Sequence, residues 1–436
     1  RIHDERRGDP RSAIVTYERL IALDPNDASP LDALEALHTL VGDWRGLVDV
    51  LGRKVELTYD PVDRAEILRR AGSVLEELIS DAEGAIALYK RAAEEDANDP
   101  VALEALDRLY AAGGKNEDLA EVLERRLEVE TEASYQLEIA MRLGELTEQS
   151  LGQPERAIEA YRRALALEPR LGDALAALAR LHEKQQEWND LLDVLRTQSE
   201  LAEGAVRVAF HFRIGEVLEL RLSEPSEAVT AYRAALELDP RHEQSIQALV
   251  RIAKEPDYRS DAVAILEPLF REQARHDDLA KLIALDVSGI DDPFEKKERL
   301  RALAVVEEEG RGDGGAAFDA LAAALEQDPS DETLPEELAR LAQKSGAYEK
   351  LADVLSARAA SATDPTAGRA LWIRVAETAE RDLSDDGRAI DAYQKALEQV
   401  GDDPELLSSL DRLHVKTSRF DGLLVVIERR ADTASA

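Results

Sequence analysis

The 436-residue chain contains no cysteine. That excludes disulfides, thiolate zinc sites, iron–sulfur clusters and a cysteine nucleophile, and it leaves the redox compartment open, since a lack of thiols suits either side of a membrane. Positive charge is also short: 55 Lys and Arg stand against 91 Asp and Glu, a formal charge of −36. Phosphate backbones and anionic bilayer surfaces both select Lys and Arg, so neither nucleic acid nor a membrane surface is an expected partner. Long apolar runs are missing too. Stretches such as Ala174 to Ala179 fall far below the roughly 18 to 20 residues of a spanning helix, and no membrane insertion is expected. Aromatic residues make up only 4 % of the chain, yet hydrophobic residues reach 44 %, which is enough to fold. Abundant Ala, Leu, Glu and Arg point to amphipathic helices with small residues where helices cross.

What is present is a repeat. Ala13-Ile14-x-x-Tyr17 recurs as Ala85-Ile86-x-x-Tyr89, Ala157-Ile158-x-x-Tyr161, Ala228-Val229-x-x-Tyr232, Ala317-Phe318-x-x-Leu321 and Ala389-Ile390-x-x-Tyr393, at intervals of 72, 72, 71, 89 and 72 residues. A second column, Trp44, Asn116, Trp188, His276, Tyr348 and Phe420, keeps the same period, with Leu or Ile three and seven residues after each. Apolar spacing is helical throughout, and no alternating run is long enough for a strand. Six acid–proline pairs (Asp24-Pro25, Asp99-Pro100, Glu168-Pro169, Asp239-Pro240, Asp328-Pro329 and Asp403-Pro404) read as helix ends whose acid can cap the next helix. Four helices fit in each period.

Leu143-Gly144, followed by Ala157, Tyr161, Ala164-Leu165 and Pro169, resembles the tetratricopeptide repeat, and Ile214-Gly215 with Ala228, Tyr232, Ala235 and Pro240 matches equally well. Thr147 departs from the family's aromatic preference. The step from Gly144 to Ala157 is about one residue longer than the family's, and it recurs before Ala85 and Ala389. The other half of each period, such as Ala174 to Thr197, resembles a degenerate unit of the same kind, with Leu191 where a small residue belongs. The resemblance implies an all-α fold, a right-handed α-solenoid of antiparallel helix pairs in which each pair buries its apolar face against its neighbours. Both ends read as interrupted units, so a fragment of a longer array is expected.

The long interval places 17 extra residues between Val250 and His276, with helical spacing around Pro268. One added helix, kinked or split at that proline, is the expected content. The corresponding division is a lobe over 1–254, a junction at 255–275 and a second lobe over 276–436, with a bend at the junction as one reading and a bulge without change of course as the other.

No catalytic constellation emerges. Seven His are scattered, with no H-x-x-x-H or H-E-x-x-H pair, no G-x-S-x-G elbow and no phosphate loop with its Lys. No cofactor or metal is expected, and Gly310-Arg-Gly-Asp-Gly-Gly315 reads as an interhelical loop. The Trp44/Trp188 column has the spacing of packed aromatics rather than of a ligand platform.

By the family resemblance, the first helix of each unit lines the binding groove. Carried over residue by residue, the groove columns hold Arg69 and Ser73, Met141 and Glu145, Phe212 and Glu216, Arg301 and Val305, and Ile373 and Glu377, so the Lys/Asn clamp of some members is absent. Glu76, Glu77, Glu148, Glu219, Glu308, Glu309 and Glu380 lie nearby. The expectation is a non-enzymatic scaffold that binds a protein or peptide, basic or amphipathic, in an acidic groove with apolar spots. Two alternatives are a regulatory or substrate-recruiting region of a larger enzyme, and a self-associating structural array. Arg greatly outnumbers Lys, as in high-GC bacterial sequences; localisation is unassigned, with the cytoplasm favoured over the cell envelope.

Overall fold

The computed structural model describes residues 9–435. Among the described residues there are 24 α-helices and no strand. The chain enters the four-helix period at its second position, with α1 (Pro10–Leu23), α2 (Ser29–Val41) and α3 (Trp44–Leu57). Two full periods follow: α4 (Pro61–Ser73), α5 (Ala82–Glu95), α6 (Pro100–Gly113), α7 (Asn116–Val129), then α8 (Ala133–Glu145), α9 (Pro154–Leu167), α10 (Gly172–Gln185), α11 (Trp188–Leu201). The third period holds five helices, α12 (Gly204–Val217), α13 (Pro225–Leu238), α14 (Glu243–Ile252), α15 (Arg259–Glu272) and α16 (His276–Val287). The last two are α17 (Pro293–Val305), α18 (Gly314–Gln327), α19 (Leu334–Ser345), α20 (Tyr348–Ser361), and α21 (Pro365–Arg381), α22 (Asp386–Val400), α23 (Pro404–Lys416), α24 (Phe420–Ser435). Backbone contacts group the helices into two compact units, one ending at Ala202 and one beginning at Glu203. Within each unit every helix packs on the one before and the one after it, the arrangement of an α-solenoid. The extra residues of the long interval form α15, which runs unbroken through Pro268 and belongs to the second unit.

Local sequence explains the helix ends. Asp60, Asp99, Asp364 and Asp403 accept backbone N–H bonds at the starts of α4, α6, α21 and α23, each followed by proline in the first turn. Asp99-Pro100 and Asp403-Pro404 therefore begin helices rather than end them. At Asp24, Glu168, Asp239 and Asp328 the acid is the last-cap residue of a second helix, as expected.

The longer step has a structural cause. Four of the five first helices end in π-helical turns, Val74–Ile79, Leu146–Leu151, Leu218–Leu222 and Val306–Gly310. A π turn takes one residue more than an α turn. All five first helices then close with one bond, in which the amide of Asp81, Gln153, Glu224, Asp313 or Asp385 donates to the carbonyl six residues earlier at 2.8 Å. The pairing of small residue and ring is equally literal. A Cβ added to Gly72, Gly144 or Gly215 would stand 3.0, 2.6 or 2.4 Å from the ring of Tyr89, Tyr161 or Tyr232. Glycine is required there for close approach of the first and second helices, not for an unusual backbone angle.

Candidate functional site

The glutamates expected along the groove divide into two groups. Glu76, Glu148, Glu219, Glu308 and Glu380 each sit one turn past the end of a first helix or near it, and each is held by an arginine 32 residues later on the following third helix. Arg180 and Arg251 reach Glu148 and Glu219 with two bonds each, at 2.8 Å and 2.7 Å. Arg340 does the same to Glu308 at 2.6 and 2.7 Å, with Lys344 adding a third contact at 3.0 Å. Arg108 and Arg412 pair with Glu76 and Glu380.

In the first three clusters a phenol completes the arrangement: the hydroxyls of Tyr89, Tyr161 and Tyr232 donate to Glu76, Glu148 and Glu219 at 3.3, 3.2 and 2.8 Å. Burial, reinforced by the charge of Glu76, pushes the Tyr89 phenol up to about 12. Burial and the neighbouring glutamate raise Tyr161 and Tyr232 as well, so these hydroxyls stay protonated and keep donating. Arg180 holds the Glu148 carboxyl below its ordinary value against the opposing effect of burial. Glu308 is lowered to about 2, chiefly by Arg340 and then, against burial, by Lys344.

Exposure decides what a partner meets. The five carboxylate side chains are 11–14 % exposed and their arginines 52–62 %. At this column the protein presents guanidinium groups lying over largely covered carboxylates. The sequence carried the signal as Leu-x-Arg-Leu or Leu-x-Arg-Ile at Arg108, Arg180, Arg251, Arg340 and Arg412; charge-counting on the first helices alone passes over it.

The other expected residues are placed differently. Glu77 is exposed and accepts from the Ser73 hydroxyl at 3.3 Å. Glu145 is exposed; Glu216 is half-buried between Arg213 and Arg251, and burial raises its carboxyl. Glu377 lies 3.9 Å from Arg381. Met141 is half-buried at the edge of two core clusters, and Ile373 is half-buried. The Phe212 ring stands 5.7 Å from Tyr232 and 5.3 Å edge-on to His242. Arg301 is committed to Glu337 at 2.7 Å and Asp331 at 3.6 Å.

In the first unit an open depression of about 680 Å³ lies between α2, α4 and α6, lined by Glu35, Arg69, Arg70, Glu77, Glu104 and Arg108 among others. Its walls alternate in sign. His182, Glu187 and Asp190 approach one another closely enough to hold a metal ion. The buried His182 Nδ1 already meets Glu187 at 2.7 Å, however, and Asp190 pairs with Arg162 at 2.9 Å. His38 meets Asp43 at 2.9 Å in the same way, beside Gly46, which marks a recurrent link between third and fourth helices.

Profiles of the tetratricopeptide repeat family match residues 137–171 and 174–205. No curated protein sequence matches the chain. Among solved structures, it is similar to YrrB, described as a TPR protein with an unusual peptide-binding site, at 16 % identity over 53 % of this chain and 96 % of that one, with a TM-score of 0.25. It is similar to the Naa15/Naa10 complex bound to HypK-THB at 15 % identity, over 93 % and 63 % of the two chains, with a TM-score of 0.30. MamA from Desulfovibrio magneticus shows 17 % identity over 41 % and 97 %, with a TM-score of 0.23.

Proposed function

We propose that this chain, a tetratricopeptide repeat protein, is an interaction scaffold whose first helices bind a partner protein or peptide of basic, amphipathic character. One observation carries the reading. On α8, α12 and α21 a half-buried apolar side chain is followed one turn later by a carboxylate that is not the glutamate of a glutamate–arginine cluster: Met141 with Glu145, Phe212 with Glu216, Ile373 with Glu377. Each pair offers an apolar contact and a negative charge one helical turn apart, complementary to a segment that alternates apolar and cationic residues. The net charge of −36 favours encounter with such a partner over an acidic one.

Glu148 and Glu219 are unsuited to testing this, because reversing them would strand Arg180 and Arg251. The double variant Glu145→Lys, Glu377→Lys removes no member of a cluster and places no cation beside Arg251. Capture from a native extract followed by cross-linking should recover a basic partner with the unaltered chain and lose at least about tenfold of it with the variant, at unchanged helicity by circular dichroism. Undiminished capture by the variant would remove these columns from the binding site.

A further inference from the structure

The turn that leads into each fourth helix carries a recurrent triplet: one side chain at the end of the incoming helix, and two more five and eight residues on. His38 is followed by Asp43 and Gly46, Tyr110 by Lys115 and Asp118, Phe270 by Arg275 and Asp278, Ala342 by Ala347 and Lys350, and His414 by Arg419 and Gly422. Where aspartate takes the last place in these five, a cation precedes it, and Arg275 lies 2.7 Å from Asp278. Where histidine takes the first place, the last is glycine, because the ring fills the space: a Cβ on Gly46 or Gly422 would stand 2.3 Å from the imidazole. The sixth turn, between α10 and α11, departs from both patterns. His182 is followed there by Glu187 and Asp190, an acid at each place and no cation within the triplet.

The backbone brings the three together. Gln186 takes a left-handed φ of 61°, and the Glu187 amide donates to the His182 carbonyl at 2.9 Å, so the chain reverses over a few residues. The Glu187 side chain makes no cap bond to α11, whereas Asp43 accepts from the Gly46 amide at 3.2 Å. Glu187 instead meets the Nδ1 of His182, whose ring is 1 % exposed. One donor atom from each of His182, Glu187 and Asp190 lies within 4.8 Å of the other two. Both carboxylates are about half exposed, and the only positive groups named beside them are the imidazole N–H and Arg162 of α9, itself 52 % exposed. An ion pair as open to water as Arg162–Asp190 exchanges at little cost.

We infer that His182, Glu187 and Asp190 bind one divalent transition-metal ion of the zinc class, which takes the place of the imidazole proton and of Arg162 between the two carboxylates. One imidazole nitrogen and two carboxylate oxygens suit zinc, cobalt or nickel, whereas calcium and magnesium select oxygen alone. Nδ1 coordinates as a lone-pair donor, and the proton it carried goes to Nε2 or to solvent. Three protein ligands leave a further position for water. Spanning the last turn of α10 and the first of α11, the ion clamps one helix pair inside the first unit. The site uses none of the columns of the proposed function and stands or falls separately.

Zinc chloride titrated into the chelator-treated full chain, followed by calorimetry, tests this. One equivalent should bind saturably and slow hydrogen exchange in the α10–α11 turn but not in the α2–α3 turn, where Gly46 supplies no third ligand. Cobalt(II) at the same stoichiometry should develop visible absorption, and excess calcium or magnesium should displace neither ion. Glu187→Gln and Asp190→Asn should each weaken zinc roughly tenfold or more, since even groups behind a ligand are worth that much. Both side chains are half exposed, so neither change threatens the fold as His182→Ala does. Arg162→Ala should tighten zinc about two- to fivefold, the worth of an exposed pair, and should do nothing in the Asp190→Asn background. Affinity indifferent to Asp190→Asn, several weak equivalents shared alike by all variants, or equal protection of the α2–α3 turn would each overturn the inference.

Discussion

Glu308 lies beneath two cations, Arg340 and Lys344, and its carboxyl is lowered from 4.5 to about 2. A carboxyl depressed on folding stabilises the fold above its unfolded value and loses that contribution as pH falls through the folded one. The contribution of Glu308 is therefore complete above pH 4.5 and disappears between 4.5 and 2, so Glu308→Gln should flatten the acid limb in that window, as measured by thermal midpoints from pH 5 to 2. An unchanged acid limb would show that the pair adds nothing. The sequence showed Glu308 and its four equivalents as surplus acid on a groove. What charge-counting on the first helices alone passes over is the arginine 32 residues away, on the following third helix. The periodic glutamate, read alone, has the composition of a solvated face; read with its arginine, it is an internal tie.

At the scale of the element, more was legible. Helices, their number per period and the small-residue-to-tyrosine packing all follow from spacing, because an i, i+3, i+4 apolar pattern and a ring facing a glycine each have one physical solution. The extra residue in each first-to-second step was visible as a count, but its form was not: a loop or a π turn would satisfy the same number. The acid–proline pairs show the same limit. Asp99 and Asp403 stand three residues beyond the positions of Asp24 and Glu168 in their periods, enough to turn a helix end into a helix start. The ring contact gives a direct prediction. Gly215→Ala puts a Cβ 2.4 Å from the Tyr232 ring, so the ring or the helix must move. Overpacking of this kind costs about 1 to 3 kcal/mol, to be read as a lower urea midpoint at unchanged m-value. Gly52→Ala, whose Cβ would meet nothing within 4 Å, is the control and should not destabilise.

For the molecule as a whole, contacts run between neighbours in each unit, so damage should stay local. Tyr161 is fully buried in the first unit, and Tyr161→Ala should cost about 3 to 5 kcal/mol. Native-state hydrogen exchange should accelerate in α8 to α10 and hardly at all in α20 to α22. Equal acceleration along the chain would mean that the molecule unfolds as one body. The charge of −36 also changes meaning at this scale. It is spread over a surface where, at five recurrent points, the carboxylate faces inward and the arginine outward, so net charge alone is a poor map of what a partner touches.

Those five ties set the grain at which the array can be cut and joined. Each begins at or just past the end of a first helix, passes over the second and ends on the third. A deletion or duplication of a single helix pair would leave a glutamate without its arginine, or an arginine without its glutamate, at every seam that falls between them. A cassette of four helices, about 72 residues, moves with both partners inside it. Chains lengthened or shortened in whole cassettes should keep their expression and cooperativity, whereas half-cassette editing should expose one orphaned charge per junction.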